Sequence, residues 1–335
     1  QNLAGRRSRS AATTATTYLS AAFKMVVMDS GLVLSEDRKA SLYKEYMMTL
    51  ESVQKDIDAL KLWILKQPHL PDISQLDLDK WLEGILLLTK NSVERSKQSI
   101  DSYFTARTAC PSIFYQRNLQ DPELKDSFNH VKVALMPGLT EEGHRVLLMK
   151  IDSPDPALFN LEAHMKRSSM IVDFYLQHGV DFTGLHVIHD LEHIGLGHIS
   201  KFSLQLMKVM AVAMKAYPCR IPKITLVNTP YFVDKVLALF RPFMSPKLMA
   251  RVTSFKDTSQ LLNILPAHLV PMDYGGLAPS VDELNGFWRN KMEESADFFA
   301  LCDSLKTDER KRVGKKNIPE SEFGPNGSFR QLSVD

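Results

Sequence analysis

Four histidines in a short stretch have the clearest potential for chemistry: His186, His189, His193 and His198. Neutral imidazole is a common ligand of zinc and other transition metals. His189 and His193 are four residues apart, so on a helix both rings would lie on one face, as in metal sites of the H-E-x-x-H type. The acidic residues between them could add a carboxylate ligand. The cluster could therefore serve a metal-dependent enzyme.

The sequence around these histidines favours a strand over a helix. The run Gly184–Asp190 is short and apolar, and Gly195 and Gly197 oppose helix formation after it. On a strand, His186 and His189 would point to opposite faces. We therefore expect hydrogen-bonded imidazoles at a polar strand end, with no metal, no cofactor and no catalytic residue. A metal-dependent enzyme built on the histidine cluster is the alternative.

Other signatures of catalysis and of nucleic-acid binding are missing from the sequence. Gly195-Leu-Gly197 lacks the third glycine and the following acid of a dinucleotide site, and neither a G-x-S-x-G elbow nor a P-loop occurs. The net charge is only +2, and the basic residues of 310–316 are diluted by nearby acids. We expect no enzymatic activity and no nucleic-acid partner.

The composition predicts a folded chain in a reducing compartment. Of 335 residues, 44% are hydrophobic and 24% are charged, which is typical of a globular protein. Cys110, Cys219 and Cys302 lie far apart without zinc-type spacing, which indicates reduced thiols. The sequence has no run of about 18 uncharged apolar residues, as a membrane-spanning helix would need. We expect a cytoplasmic monomer that contacts membranes peripherally and transiently.

Both ends of the chain differ from the rest. Residues 1–28 contain four basic residues and no acid, which favours a leader or a non-native extension before a native start at Met25 or Met28. A transit peptide is the alternative. Residues 306–335 are charged and contain glycine, proline and serine. We expect both segments to be disordered.

Residues 35–112 show the spacing of a small helical domain. After the N-cap residue Ser35, apolar residues recur every three or four positions from Leu42 to Ile64, which predicts one long helix. Two further helices are predicted after it.

Residues 125–305 alternate between strand and helix patterns after a loop-rich bridge. Short apolar runs are each followed by a long helical stretch, which predicts βαβ units, a mostly parallel sheet and the α/β class. The predicted strands are 146–151, 184–190, 223–228 and 252–255, and the predicted helices are 161–178, 199–217, 230–244 and 281–305.

The segment Pro230–Met244 is apolar around nearly its whole helical circumference, with only three polar residues. A helix on the surface of a sheet needs only one apolar stripe. The second face must therefore be covered by core, by a partner protein, by a membrane or by a bound lipid. Three methionines of the helix at 199–217 suit an irregular apolar guest, and the basic loop at 245–256 suits contact with a membrane surface.

A series of short motifs follows in order from residue 110 to residue 276. These motifs are Cys110-Pro111, Val146–Ile151, Asp190-Leu-Glu192, Tyr217-Pro218, Ile224–Pro230, Arg241-Pro-Phe243, Leu265-Pro266 and Leu269–Gly276. Together they resemble the CRAL-TRIO (Sec14-like) lipid-binding family, in particular its branch of tocopherol- and retinaldehyde-binding proteins and clavesins. The resemblance covers about 35–305.

The resemblance implies a helical N-terminal domain followed by a domain whose sheet floors an apolar pocket, closed by a mobile gate helix at 230–244. The matching pocket residues are Leu185, Val187, Val212, Ala213, Tyr217, Cys219, Ile224, Phe232, Val236 and Phe240. The matching residues for the gate and for membrane contact are Phe232, Leu239, Phe240, Phe243 and Met244. The matching residues for a phosphoinositide head group are Arg220, Lys247 and Arg251. The family's Arg-rich stretch is replaced here by Leu82-Glu-Gly-Ile-Leu-Leu-Leu88.

The resemblance implies a carrier that binds one lipophilic molecule and transfers it at membranes. The ligand would be tocopherol-, retinoid-, carotenoid- or phospholipid-like, and a membrane surface with phosphoinositides would be the other partner. The alternative is an interaction module of the same fold whose pocket is filled by its own side chains. The two interpretations differ in whether a hollow lies beneath residues 228–244.

Overall fold

The computed structural model describes residues 34–314. The segment 1–28, predicted to be a leader or extension, and the end of the predicted tail, 315–335, lie outside the described residues. Within the described range, a region of helices is followed by a sheet with helices packed against it.

The N-terminal region consists of the helices α1 (Glu36–Glu45), α2 (Leu50–Leu65), α3 (Leu78–Leu88) and α4 (Val93–Ala109). The single long helix predicted over α1 and α2 is wrong, because the chain breaks at Met47, where φ is +54°. Thr49 and Ser52 then form a capping box that starts α2, which satisfies two backbone N–H groups at the new helix end. Nearly every residue of α3 from Trp81 onward is buried, so α3 forms the centre of this region.

One strand lies in the predicted loop-rich bridge and was missed. After α5 (Pro111–Phe114) and α6 (Pro122–His130), the strand β1 (Val131–Leu135) pairs antiparallel with β2. Its short run is interrupted by Lys132, whose Nζ lies 2.9 Å from a carboxylate oxygen of Asp282. A charged residue in a five-residue run weakens the strand pattern.

The sheet has five strands in the order β1-β2-β3-β4-β5, and all pairs except β1–β2 are parallel. The remaining strands are β2 (His144–Ile151), β3 (Gly184–Asp190), β4 (Lys223–Val227) and β5 (Val252–Ser254). The crossover helices are α7 (Leu161–His178), the one-turn α8 (Leu196–Ile199), α9 (Leu204–Ala216), α10 (Val233–Phe240) and α11 (Pro246–Met249). Right-handed crossovers that advance in one direction place their helices on one face. The predicted α/β class with a mostly parallel sheet is confirmed.

The opposite face of the sheet is covered by the chain that follows β5. Short helical turns, α12 (Leu261–Ile264), Ala267–Leu269 and Met272–Tyr274, pack there. The predicted helix at 281–305 is broken at Ser295 into α13 (Val281–Glu294) and α14 (Ala296–Ser304). α13 closes the edge of the sheet, where Trp288 Nε1 donates to the carbonyl oxygen of Leu135 at 2.9 Å.

The beginning of the predicted disordered tail is ordered. Residues 306–314 return to the N-terminal helices, where the backbone N–H of Asp308 donates to the carbonyl oxygen of His69 at 2.9 Å. The guanidinium of Arg312 reaches the carboxylate of Asp101 on α4 at 2.8 Å. Disorder was predicted for this segment because it is charged, but its Arg312 pairs with the buried carboxylate of Asp101.

Candidate ligand-binding site

A cavity of about 360 Å³ lies between the sheet and the crossover helices. Its floor consists of the side chains that β2, β3 and β4 present on one face, and α7, α9 and α10 form its walls and roof. The volume falls in the range of small-molecule sites, roughly 300–1,000 Å³. The space beneath α10 is therefore hollow, which does not favour the interaction module with a filled pocket.

Most of the pocket residues implied by the resemblance line this cavity. Those that do are Leu185, Val187, Ala213, Tyr217, Cys219, Ile224, Val236 and Phe240. Val212 instead packs in a separate apolar cluster with residues such as Cys110 and Phe114. Phe232 lies just before α10, with its ring 5.3 Å from that of Tyr231, and does not line the cavity. Val212 faces away from the cavity while Ala213 faces it, because successive residues of a helix point about 100° apart. Phe232 precedes the helix and therefore does not follow its cavity-facing stripe.

The roof of the cavity is shorter than the predicted gate helix. α10 begins at Val233 after the N-cap residue Phe232 rather than at Pro230, and it continues as a 3₁₀ turn over Arg241–Phe243. Its half-buried residues Val233, Val236, Leu237 and Phe240 follow helical spacing and face the cavity, and α10 has no fully buried residue. The roof therefore closes the cavity with one apolar stripe.

The predicted gate residues divide between the two sides of this roof. Phe240, Phe243 and Met244 line the cavity, and the Phe240 ring packs edge-on against Phe202 at 5.1 Å. Leu239 points outward and is 37% exposed, close in sequence to Tyr231, which is 95% exposed. The outer surface of the roof therefore carries exposed apolar side chains.

The predicted phosphoinositide residues are the exposed Arg220 and Lys247 and the half-buried Arg251. The Arg251 guanidinium donates to the carbonyl oxygen of Ile221 at 2.6 Å, so it lies beside the residue that follows Arg220. Lys247 is on α11, next to the roof. The stretch that replaces the family's basic motif, Leu82–Leu88, is largely buried in α3 and adds no cation.

The four clustered histidines do not converge. His186 Nε2 lies 2.8 Å from Thr225 Oγ1, and His198 Nδ1 accepts from the backbone N–H of Gly195 at 3.1 Å. His193 lies at the surface near Glu192. Among residues 34–314, no three His, Cys, Asp or Glu side chains come together as a set of metal ligands. The alternative of a metal-dependent enzyme therefore lacks a ligand set in this part of the chain.

His189 departs from the expected hydrogen-bonded imidazole. It lies on the cavity face of β3 with Leu185 and Val187, and its imidazole makes no hydrogen bond to another side chain or backbone group of residues 34–314. Burial lowers the pKa of His189 to about 4, because an apolar surrounding disfavours the charged imidazolium. The ring is therefore neutral at physiological pH.

Three motif residues meet at the carboxyl ends of β3 and β4. Asn228 Nδ2 donates to the carboxylate of Asp190 at 2.8 Å, and the Tyr274 hydroxyl donates to the same carboxylate at 2.6 Å. Gly276 lies so close to the backbone of Val270 that a Cβ would fall 1.9 Å from its carbonyl oxygen. This cluster joins the base of the roof to the chain on the other face of the sheet.

A buried charged cluster beside the cavity was missed. Asp173 on α7 accepts from Arg107 and Arg117, and its other oxygen accepts from the hydroxyls of Tyr103 and Tyr217, each at 2.9 Å. Tyr217 also lines the cavity. The sequence did indicate this cluster, because Arg107 follows Ile100, Tyr103 and Phe104 at the spacing of the buried face of α4.

No helix within residues 34–314 combines the length and apolarity needed to cross a bilayer.

Comparison with known proteins finds two domain models and several full-length relatives that this chain resembles. Residues 129–276 match the model of the CRAL/TRIO domain, and residues 49–124 match that of the Pinta-like UBA domain. An alpha-tocopherol transfer protein-like protein of Mus musculus is 25% identical over 299 residues, 86% of this chain and 83% of that protein. Clavesin-2 of Mus musculus is 21% identical over 322 residues, 92% of this chain and 93% of that protein.

Among solved structures, that of Sfh5 matches with 12% identity and a TM-score of 0.43, over 74% of this chain and 98% of that one. The family match spans every strand of the sheet and all of the roof. Residues 129–276 are therefore similar to the CRAL/TRIO domain.

Proposed function

We propose that this protein carries one lipophilic small molecule in the cavity beneath α10 and transfers it at membranes. The observation that carries the proposal is the apolar hollow of about 360 Å³ under a roof that has no fully buried residue. Burying about 400 Å² of apolar ligand surface contributes on the order of 10 kcal/mol. That gain offsets the removal of a lipid from a bilayer.

Release requires α10 to move away from the cavity. The movement exposes the stripe of Val233, Val236, Leu237 and Phe240 together with the ligand, which is unfavourable in water and acceptable against a bilayer. The exposed side chains of Tyr231 and Leu239 support membrane contact at this place. Opening is thereby coupled to arrival at a membrane.

The basic residues beside the roof support attraction to anionic lipids, including phosphoinositides. Arg220 and Lys247 are exposed, and Arg251 is held next to them by its bond to Ile221. A basic residue near an anionic membrane surface contributes about 1 kcal/mol. These residues would orient the roof toward the cytoplasmic face of a membrane.

Organic extraction followed by mass spectrometry tests the carrier function. We expect the wild-type protein to release about one lipid per chain. The variant Leu237→Trp should release much less, because the larger ring fills the cavity that Leu237 lines. The matched control Leu62→Trp alters a side chain that is 61% exposed, and it should release as much lipid as the wild type.

An empty wild-type protein that also fails to take up the neutral dye Nile red would contradict the carrier function. Equal loading of Leu237→Trp and the wild type would contradict the assignment of this cavity as the site.

A further inference from the structure

His189 is a polar side chain on the largely apolar lining of the cavity, in the floor that the sheet forms. In the register of the sheet it lies between Met149 of β2 and Leu226 of β4, both of which also line the cavity. A neutral imidazole has one donor and one acceptor. A polar group that is enclosed without a partner destabilises the site that holds it, so this position is suited to a partner supplied by the ligand.

The other polar side chains of the lining already have protein partners, the Cys219 thiol apart. Tyr217 donates to Asp173, and the Asp190 carboxylate accepts from Asn228 and Tyr274. Ser168 and Ser169 each donate to a backbone carbonyl oxygen of α7. The unmade hydrogen bonds of the lining are therefore concentrated at its histidines.

His164 on α7 is the second histidine of the lining. Its Nε2 lies 3.2 Å from the sulfur of Met149, a weak acceptor, and its Nδ1 is buried without a partner among the described residues. Met149 is also the register partner of His189. The two imidazoles therefore flank one methionine.

The electrostatics at these histidines favour an uncharged ligand group. Burial, with a smaller contribution from His189 and Arg167, lowers the pKa of His164 to about 3, and His189 is neutral for the same main reason. Among the described residues, Lys150 is the only lysine or arginine that lines the cavity, and it lies 3.3 Å from the carboxylate of Glu192. Arg167 does not line the cavity and donates instead to the carbonyl oxygens of Ser127 and Val131. A carboxylate or phosphate beside the imidazoles would therefore face no unpaired cation in the lining.

We infer that the ligand carries a neutral hydroxyl or carbonyl group that hydrogen-bonds to His189 beside His164. The inference rests on the proposed carrier function and narrows its ligand to the class of uncharged lipids with such a polar group. Fatty acids and lipids that would bury a phosphate at this lining fall outside that class.

Displacement of Nile red by decanol, decanoate and decane tests this inference on the full chain. We expect His189→Phe to weaken decanol binding about tenfold, the effect of one lost hydrogen bond, and to leave decane binding unchanged. In the wild type, decanoate should bind more weakly than decanol. The control His193→Phe changes a surface ring that is 35% exposed and should bind decanol as the wild type does.

The wild-type protein provides a second measurement that does not depend on folding of the phenylalanine variant. Decanol should shift the NMR signals of the His189 ring, assigned with His189→Gln, and decane should leave them in place. Unchanged decanol affinity in His189→Phe, an unmoved His189 signal, or tighter binding of decanoate than of decanol would overturn the neutral-head inference while the carrier function stands. A wild-type protein that is empty on extraction and also fails to bind Nile red would overturn both.

Discussion

At the scale of single residues, Asp173 connects the helical region to the wall of the cavity. Burial alone would raise the pKa of this carboxyl, but the guanidinium groups of Arg107 and Arg117 outweigh it and hold that pKa below its usual value. The same carboxylate accepts the hydroxyl of Tyr217, which faces the cavity. One ionised group therefore fixes side chains from several segments of the chain.

The variant Asp173→Asn should be strongly destabilised. Removing the charge leaves the fully buried guanidinium of Arg107 without a counter-ion and leaves that of Arg117 with only Asp303, 3.8 Å away. Breaking a buried ion pair in this way costs about 3–5 kcal/mol. Urea unfolding measures the loss. Asp126→Asn, at a carboxylate that is 58% exposed, is the matched control and should change stability by less than about 1 kcal/mol. Equal losses in the two variants would contradict the role of Asp173.

Alternation along β3 predicts that His189 shares a face with Leu185 and Val187. It does not predict that the imidazole of His189 lacks a hydrogen-bond partner among the described residues. Whether an imidazole finds a hydrogen bond depends on which side chains α7 and β2 bring beside it, and no local spacing contains that information. The same limit explains Asp173, whose partners come from α4 and from the chain before α6.

At the scale of elements, the sequence pattern was sufficient to predict where the clearest strand and the clearest helix begin and end. The predicted bounds of β3 and α7 agree with the structure. Gly184 marks the start of the short apolar run of β3, and the long amphipathic stretch of α7 ends before Gly179. β1 was missed because antiparallel pairing with β2 stabilises a run too short to stand out. α10 was predicted too long because Pro230 at a helix start is also compatible with the turn that precedes it.

The variant Leu239→Asp should slow transfer of lipid from the loaded protein to vesicles about fivefold or more. Leu239 points away from the cavity, so loading should stay intact while the carboxylate opposes membrane contact. Fluorescence-based transfer between protein and vesicles measures the rate. Leu62→Asp introduces the same charge at an exposed leucine of α2 and should transfer at the wild-type rate. A wild-type rate in Leu239→Asp would argue against membrane contact by the outer face of α10.

At the scale of the whole molecule, the C-terminal chain fastens the helical region. Arg312 spans from the end of the described chain to Asp101, which His69 Nε2 also meets at 3.0 Å. The Arg312 side chain is only 5% exposed. The sequence around Arg312 shows only a run of charged residues. The pairing of Arg312 with Asp101 could not be predicted, because contacts between residues distant in sequence leave no periodic pattern.

The variant Arg312→Ala should lower the free energy of unfolding by about 2 kcal/mol, a value between those of exposed and of fully buried pairs. Thermal and urea unfolding measure the change. Arg310→Ala removes the same side chain from a position that is 90% exposed and should leave the unfolding midpoint unchanged. If both variants unfold like the wild type, the tail contributes nothing to stability.

The roof α10 lies in the connection between β4 and β5, and β5 is the edge strand, with only three register pairs to β4. Movement of α10 in the proposed opening would therefore act on β5, the shortest strand, at the edge of the sheet. The floor strands β2 and β3 pair on both sides with strands other than β5. In the proposed opening, the ligand could therefore leave and enter without disturbing these two strands, so repeated delivery would not require them to loosen.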